Sequence, residues 1–367
     1  MRIGVLTIHN IKNYGSILQA YATAEVIRRL GHTVEIIDCW NPALESPRSV
    51  KVLRMGNRLA FWMLGHLCQV KAADAKFQSF LAENVPLSLA VATRQALEQL
   101  VQKYDCVMAG SDQIWHPRCL NDKMSFLLDF VFPPMRKIAF SSSFGVTKLP
   151  AEHVEMYARE LNTFDAIAVR EASAQELVRA LTGKEVPVVL DPTLLLSGDE
   201  WGRLASVEKE AGPYILIYGN MSNKGNLMEQ VALRIQKRTG WRILRVHGHA
   251  HHVFSRKINY LFDVGPKDVL RLFQGASLVL ANSFHGTAFA VNFNRPFFSF
   301  YPKGDDLGIR QKHLLTLLQL EAQAVELPMQ DIAECDSWVW DVDYTQANRC
   351  LNQRRADAVN WLKGALQ

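Results

Sequence analysis

The chain has 367 residues, of which 49% are hydrophobic and 21% charged, with a formal net charge of +5 at pH 7. This composition excludes a disordered chain, and the length indicates two domains rather than one. The modest positive charge is far from that of a dedicated nucleic-acid binder, so we expect no nucleic-acid partner. It fits phosphorylated ligands or an anionic membrane surface.

Cysteine spacing and the first residues indicate the compartment. Six scattered cysteines form no C-x-x-C pair, so neither a zinc site nor a disulfide framework is indicated, and we expect reduced thiols. The apolar run at residues 3–8 is too short for a signal peptide, and no run reaches the roughly 18 apolar residues that span a bilayer. These features predict a cytoplasmic protein.

The first βαβ unit is predicted from a strand at 3–8, a helix at 17–30 and a second strand at 33–38. Open α/β sheets bind ligands at the carboxyl ends of their strands, so the loop after the first strand is a candidate site. It could cradle an anion on backbone N–H groups, or form an ordinary turn before the helix. Its candidate residues are Asn13, Tyr14, Gly15 and Ser16.

Residues 47–66 combine cations with a tryptophan-bearing apolar set of side chains. The cations are Arg48, Lys51, Arg54 and Arg58. This pattern resembles a helix that lies in a membrane interface, and the alternative is a helix packed on its own domain with solvated arginines. A polar helix at 70–85 follows.

Strand patterns at 104–109 and 137–140 both end in small polar residues. Because these residues follow the carboxyl ends of strands, they are candidates to line a pocket, although turns favour the same residue types. The candidates are Ser111, Asp112, Gln113 and Ser142.

A third strand pattern, at 164–169, is followed by Arg170. Its guanidinium could hold a phosphate or carboxylate through two parallel hydrogen bonds, or it could form an internal salt bridge to Glu171 or Asp165. A strand at 186–190 then leads out of the first domain.

Strands alternate with helices in the second half as well. The predicted strands are 214–218, 241–246, 278–281 and 296–301, and the predicted helices are 227–238, 265–273 and 313–320. Residues 321–345 are expected to be irregular. The terminal helix 346–367 is expected to pack back on the first domain. The predicted domains are therefore residues 1–200 and 201–345, each with a parallel sheet.

The histidine-rich stretch 247–252 allows two interpretations. Imidazoles at this spacing can ligate zinc, but no acidic or cysteine partner is near in sequence. A polar loop near the ligand site is the preferred interpretation, and no metal is expected.

The stretch 278–290 predicts a buried strand, a tight turn and the start of a helix. Ser283 can cap the helix, and Gly286 would let an anion approach the backbone closely. His285 then lies beyond the carboxyl end of a strand, where α/β sheets place their functional residues, and next to the positive end of a helix dipole. The alternative is a capped helix whose histidine only packs.

Six blocks, in order along the chain, resemble the polysaccharide pyruvyl transferase family: NYGSILQAY (13–21), AGSDQIW (109–115), SSFG (142–145), VRE (169–171), LDPT (190–193) and SFHGT (283–287). The resemblance implies a GT-B-like α/β fold, in which two Rossmann-like parallel-sheet domains face each other across a cleft. It also implies transfer of a pyruvyl group from phosphoenolpyruvate to two hydroxyls of a saccharide, with release of phosphate. Some members have Gly-Asp where this chain has Gly15-Ser16.

The implied chemistry assigns roles to the candidate residues. His285 would move protons, with Arg170 as the second catalytic residue. The donor and its phosphate would be bound by Ser283, Gly286, Thr287, Lys303 and Arg310. Phosphoenolpyruvate is a co-substrate, and neither a cofactor nor a metal is required. A lipid-linked acceptor is compatible with membrane contact through 47–66.

Two other functions remain open. The first is a GT-B glycosyltransferase that uses a nucleotide sugar, because the same fold, with a helix N-terminus that binds a phosphate, would also suit that reaction. The second is a non-catalytic saccharide-binding protein.

Overall fold

Strands and helices alternate along the chain, as the spacing of apolar residues predicts. The computed structural model describes residues 1–39, 48–119, 126–208, 210–219, 223–246, 249–304, 306–329 and 331–367. Its strands are β1 Arg2–Leu6, β2 Thr33–Ile36, β3 Cys106–Ala109, β4 Arg136–Ser142, β5 Ala166–Val169, β6 Tyr214–Tyr218, β7 Arg242–Val246, β8 Asn259–Leu261, β9 Leu278–Ala281, β10 Phe297–Pro302 and β11 Ala324–Leu327.

The α-helices are α1 Tyr14–Arg29, α2 Arg48–Met63, α3 Leu67–Asn84, α4 Arg94–Val101, α5 Ala151–Asn162, α6 Ala172–Thr182, α7 Pro192–Leu195, α8 Gly198–Leu204, α9 Asn223–Thr239, α10 Pro266–Gly275, α11 Phe284–Asn292, α12 Asp306–Leu317 and α13 Thr345–Ala365. Short 3₁₀ helices lie at Pro117–Cys119, Ala250–Phe254, Glu321–Gln323 and Ile332–Ser337. Among the described helices, none is both long enough and apolar enough to cross a bilayer.

The chain divides into two compact units. Unit 1 comprises Met1–Glu45, Leu81–Leu195 and Leu351–Gln367, and unit 2 comprises Ser46–Phe80 and Leu196–Cys350. The main division thus lies five residues before the expected one at residue 200. The segment Ser46–Phe80 belongs to unit 2, although its position in the sequence predicts the first domain.

Unit 1 is built on a parallel sheet with strand order β2-β1-β3-β4-β5. All four residues of β3 are buried, as expected for a strand covered on both faces. The end of α13 packs on this unit, because the Trp361 ring stacks on Phe140 at 6.0 Å between centroids. Arg136 also donates a hydrogen bond to the carbonyl of Ala365 at 2.8 Å.

Unit 2 is built on a parallel sheet with strand order β11-β10-β9-β6-β7-β8. Its central strand β6 is buried along its whole length and pairs with β7 on one side and β9 on the other. In unit 1 the strands that follow β1 lie first on one side of it, as β2, and then on the other, as β3. In unit 2 the strands β7 and β8 lie on one side of β6, and β9 lies on the other. Such a reversal of strand order opens a crevice at the carboxyl ends, where α/β sheets bind ligands.

Three sequence expectations differ from the structure. The predicted strand 186–190 is a single bridge between Val169 and Val188, because Pro187 has no N–H to extend the pairing. The stretch 321–345, expected to be irregular, contains β11, a short strand at the edge of the sheet of unit 2. Helix α12 begins at Asp306 instead of 313.

Candidate functional site

The crevice of unit 1 lies between the carboxyl ends of β1 and β3, and it collects the predicted loop residues. Asn13 caps α1, because its side chain accepts hydrogen bonds from the backbone N–H groups of Gly15 and Ser16 at 2.9 and 3.3 Å. Tyr14 and Ser16 are buried. Ser16 donates to the Asp112 carboxylate at 2.7 Å, which joins the first loop to the end of β3.

The turn after β3 has an unusual backbone. Asp112 has φ +76°, in the left-handed region that costs a non-glycine residue free energy. Its carboxylate accepts from the backbone N–H of Gln113 at 2.9 Å, and Gln113 is half-buried. Ser141, at the end of β4, also has positive φ, +58°. Strained residues at adjacent strand ends are typical of functional sites.

Buried serines connect the neighbouring strands. The Ser111 and Ser141 hydroxyls lie 3.3 Å apart, and Ser142 donates to the carbonyl of Gly110 at 2.8 Å. Ser111 and Ser142 have no exposed surface. These two predicted pocket residues therefore hold the strand ends together instead of presenting their hydroxyls to a ligand.

Arg170 is the cation of a buried ionic cluster. Its side chain is 1% exposed and donates to Asp191 at 2.7 Å, with Glu171 at 3.7 Å and Asp112 at 3.9 Å. Burial alone would lower the pKa of Arg170, but the three carboxylates raise it above its ordinary value. The guanidinium is thus surrounded by protein anions. This geometry corrects the expectation that Arg170 holds a phosphate. It supports the alternative of an internal salt bridge, although the nearest partner is Asp191 and not Glu171 or Asp165.

Asp191 and Glu171 complete this cluster; the sequence predicts Glu171 only as an alternative salt-bridge partner of Arg170 and predicts no role for Asp191. Asp191 accepts from Ser111 at 3.0 Å and from the Thr193 hydroxyl at 2.6 Å. Ser143 donates to Glu171 at 2.7 Å. Both acids lie in the family-like blocks LDPT and VRE, which was the signal available in the sequence.

A second pair missed from the sequence lies at the carboxyl ends of β1 and β2. His9 is 1% exposed, and its Nε2 lies 3.1 Å from the Asp38 carboxylate, whose side chain is 30% exposed. The other ring nitrogen lies 3.0 Å from the carbonyl of Thr7. A carbonyl and a carboxylate are both hydrogen-bond acceptors, so each ring nitrogen of His9 lies beside an acceptor oxygen.

The crevice of unit 2 lies between the carboxyl ends of β6 and β9, and it contains the predicted turn. Ser283 is the N-cap of α11, and its hydroxyl accepts from the backbone N–H of Gly286 at 3.2 Å. The capped strand-turn-helix arrangement predicted for this stretch is confirmed.

Gly286 has a packing role, whereas the sequence predicts that an anion approaches its backbone. A Cβ at this position would lie 2.7 Å from the Tyr218 ring and 2.9 Å from the Ala281 Cβ. Glycine is therefore needed for close packing of α11 on β6 and β9, and the space is filled by protein. Thr287 is fully buried and shares a hydrogen bond with Ser299 at 2.7 Å, so its hydroxyl supports the sheet rather than a donor phosphate.

His285 is the second residue of α11 and is 9% exposed. Its Nε2 atom is buried, so the ring is less accessible than the sequence analysis expects. The Phe284 ring contacts it edge-to-face at 5.4 Å, and the Arg310 guanidinium lies over Phe284 at 6.0 Å. Lys303 is exposed just after β10. The predicted cation Arg310 is therefore near the histidine turn, with Phe284 between them.

The histidine-rich stretch shows no metal centre in the part that is described. His252 accepts from the backbone N–H of His249 at 2.8 Å and stacks on the Tyr260 ring at 4.2 Å. Over the described residues, no group of three or more His, Cys, Asp or Glu side chains could hold a metal ion. Residues 247 and 248 lie outside the described ranges.

Comparison with known sequences identifies one family. The sequence model of that family, described as polysaccharide pyruvyl transferase, matches residues 13–304 of the chain. This range contains all six blocks quoted from the sequence. A search of curated proteins finds no significant match.

Comparison with solved structures identifies the fold. A UDP-GlcNAc 2-epimerase from Methanocaldococcus jannaschii has a TM-score of 0.54 and 10% identity, over 96% of this chain and 99% of that chain. A glycosyltransferase from Rickettsia africae has a TM-score of 0.53 and 11% identity, over 98% and 93%. At this identity the similarity concerns the fold alone. The expected α/β class, with two parallel-sheet domains as in GT-B enzymes, is confirmed.

Proposed function

The chain belongs to the polysaccharide pyruvyl transferase family, and from this premise we propose that it transfers pyruvyl from phosphoenolpyruvate to two hydroxyls of a saccharide. The product is a cyclic pyruvate ketal, and phosphate is released. Family membership makes the protein a transferase. The donor, the ketal product and the pathway are our proposal.

The position of His285 is the observation that supports the proposal most directly. The imidazole lies in the first turn of α11, at the strand-order reversal of unit 2, where a parallel sheet binds its ligand. The N-terminus of the helix adds partial positive charge. A site with an imidazole ring and an electropositive helix end suits an anionic donor that must be protonated.

The reaction requires two proton transfers to balance. Two hydroxyls lose their protons as their oxygens bond to the central carbon of the donor. One proton ends on the methylene carbon, which becomes a methyl group, and the other leaves with the phosphate. The central carbon becomes electrophilic only when the methylene is protonated, so a positioned acid is needed. We assign this protonation to His285.

The donor also brings a phosphate and a carboxylate, with about three negative charges to be offset. Arg310 and Lys303 are the cations that we assign to it, because Arg310 lies over the Phe284 ring beside His285 and Lys303 is exposed at the end of β10. Ser283 fixes the start of the helix. Arg170 is reassigned as a positioning residue, because its guanidinium is engaged by three carboxylates.

The acceptor is a saccharide of capsule, exopolysaccharide or cell-wall glycan synthesis, in our proposal. We assign its binding to the loop 13–16 and the turn at Asp112 and Gln113 in unit 1. The enzyme is cytoplasmic in this proposal and uses no cofactor besides its co-substrate. A lipid-linked acceptor would bring it to the membrane surface.

Phosphate release from phosphoenolpyruvate, measured with a panel of saccharides, tests the proposal. We expect release that depends on the saccharide, and a saccharide product heavier by one pyruvyl group. Thermal shift separates the alternatives: at about 100 times its Kd, phosphoenolpyruvate should stabilise the protein by about 2.7 kcal/mol. Stabilisation by a nucleotide sugar alone would favour a glycosyltransferase. Stabilisation by saccharides alone, without turnover, would favour a binding protein.

A further inference from the structure

Helix α2 is held on unit 2 by one of its faces. Phe61 is 2% exposed, and its ring contacts Phe262 edge-to-face at 4.9 Å between centroids. Asn57, one turn earlier, accepts a hydrogen bond from the backbone N–H of Ala250 at 2.8 Å. The helix is therefore part of the folded unit, and its exposed residues have fixed positions on the surface.

The opposite face of α2 is apolar and exposed. Four large side chains are each 56–70% exposed, at positions that recur with helical spacing and so form one stripe: Met55, Leu59, Trp62 and Met63. Among the tryptophans whose burial is described, Trp62 is the only exposed one. Single exposed apolar residues are ordinary, but a continuous stripe of this size marks an interaction surface.

A second element of unit 2 also exposes a large apolar side chain. The 3₁₀ helix Ala250–Phe254 packs against α2 and ends at Phe254, which is 69% exposed. Two exposed cations follow it, Arg256 and Lys257. An exposed aromatic ring is thus followed by two exposed cations.

The segments that carry this surface are basic and contain no acids. Residues 46–73 include five Lys or Arg and no Asp or Glu, and residues 230–262 also lack both acids. One of these cations, Arg58, pairs with Asp74 at 3.0 Å, while its side chain remains 49% exposed. The charge is thus complementary to an anionic surface.

We propose that the exposed face of α2, together with Phe254, Arg256 and Lys257, docks unit 2 on an anionic lipid bilayer. This set of residues is called the docking surface below. Large apolar side chains and a tryptophan on one helix face, with Arg58 on the same helix and Arg256 and Lys257 exposed after Phe254, have the chemistry of a segment that lies in the headgroup region. The apolar side chains enter the boundary of the acyl chains, and the cations contact anionic headgroups. The proposal does not depend on the reaction that the enzyme catalyses.

Co-sedimentation of the full-length protein with vesicles tests the docking surface. We expect binding to vesicles of phosphatidylcholine and phosphatidylglycerol in equal parts, and little binding to phosphatidylcholine alone. Added salt should weaken binding, because it screens the charges. Lipids with brominated acyl chains should quench tryptophan fluorescence, and Trp62→Phe should remove most of that quenching while binding is retained. Absence of binding to the anionic vesicles at low salt would overturn the proposal.

Matched variants test the assignment to these residues. Trp62→Glu should lower vesicle partitioning at least about tenfold, because a ring that would enter the bilayer is replaced by a charge that anionic lipid repels. Phe132→Glu is the control, since Phe132 is an aromatic residue of unit 1 with almost the same exposure, 64%. Substitution of both Arg256 and Lys257 by Ala should weaken binding about fivefold per cation. Equal loss in the Phe132 control would refute the docking surface. A dimer in solution that Leu59→Glu dissociates would also refute it, because a second copy of the chain would then cover these residues.

Discussion

Replacing Asp191 by Asn perturbs the buried ionic cluster of unit 1 with the smallest change of shape. The carboxylate is fully buried and accepts four hydrogen bonds: from Arg170 at 2.7 Å, from Ser111 at 3.0 Å, and from the backbone and hydroxyl of Thr193 at 2.9 and 2.6 Å. One oxygen of the amide can still accept both bonds from Thr193. Its NH₂ group, however, would face the donors of Arg170 and Ser111.

The expected loss follows from this arrangement. Breaking a buried ion pair by removing one partner costs about 3–5 kcal/mol. Because Glu171 and Asp112 remain 3.7 and 3.9 Å from the guanidinium, its charge stays partly compensated. We therefore expect the lower end, about 3 kcal/mol, for Asp191→Asn.

Urea unfolding measures this loss, and hydrogen exchange of peptides from β3 and β5 assigns it to unit 1. The matched control is Glu185→Gln in the same unit, because Glu185 is 69% exposed and pairs with Arg179 at 3.4 Å. An exposed pair contributes about 0–1 kcal/mol. If Asp191→Asn destabilised unit 1 no more than the control, the buried cluster would not be a stabilising part of the fold.

Two further predictions concern Gly286 and Asp268 of unit 2. Gly286→Ala should destabilise the protein by about 1–3 kcal/mol, because the new methyl would lie 2.7 Å from the Tyr218 ring. The control is Gly364→Ala in α13, which has open space around it and should stabilise the protein by about 0.4–1 kcal/mol; equal effects of the two variants in urea unfolding would contradict the close packing at Gly286. Burial alone would raise the pKa of Asp268, but the hydrogen bonds from Lys76, Ser206 and the Gly265 backbone, together with the charge of Lys76, outweigh this and lower the pKa. Its stabilisation is therefore complete above its ordinary value of 3.8 and is lost as the pH falls through the lower folded value, so Asp268→Asn should be less stable than wild type at neutral pH and equal to it in strong acid. A stability difference that did not shrink in acid would refute this assignment.

The strand ends and the turns that follow them could be predicted from the sequence, because apolar runs and small polar residues are local signals. The turn at Ser283 and His285 formed as predicted, with Ser283 as the cap. The first loop and the β3 turn were both expected at the carboxyl edge, and Ser16 donates to Asp112 across them. Parallel-sheet topology explains why these positions were predictable, since the carboxyl ends of all strands lie at the same edge of the sheet.

The partners of the buried charges that are distant in sequence could not be predicted. Arg170 and Asp191 are 21 residues apart, and His9 and Asp38 are 29 apart, so their pairing depends on which strands become neighbours. The assignment of α2 to unit 2 depends on a contact of still greater sequence separation, between Asn57 and Ala250. Local patterns contain no information on such contacts.

The turnover number of His285→Gln tests the central claim most directly, with His153→Gln as a histidine control in unit 1. If the imidazole protonates the donor, kcat for saccharide-dependent phosphate release should fall by about 10²–10⁴ in His285→Gln, while stabilisation by phosphoenolpyruvate is retained. The control should keep the wild-type rate. A His285→Gln enzyme that is folded, binds phosphoenolpyruvate and turns over at the wild-type rate would contradict the account.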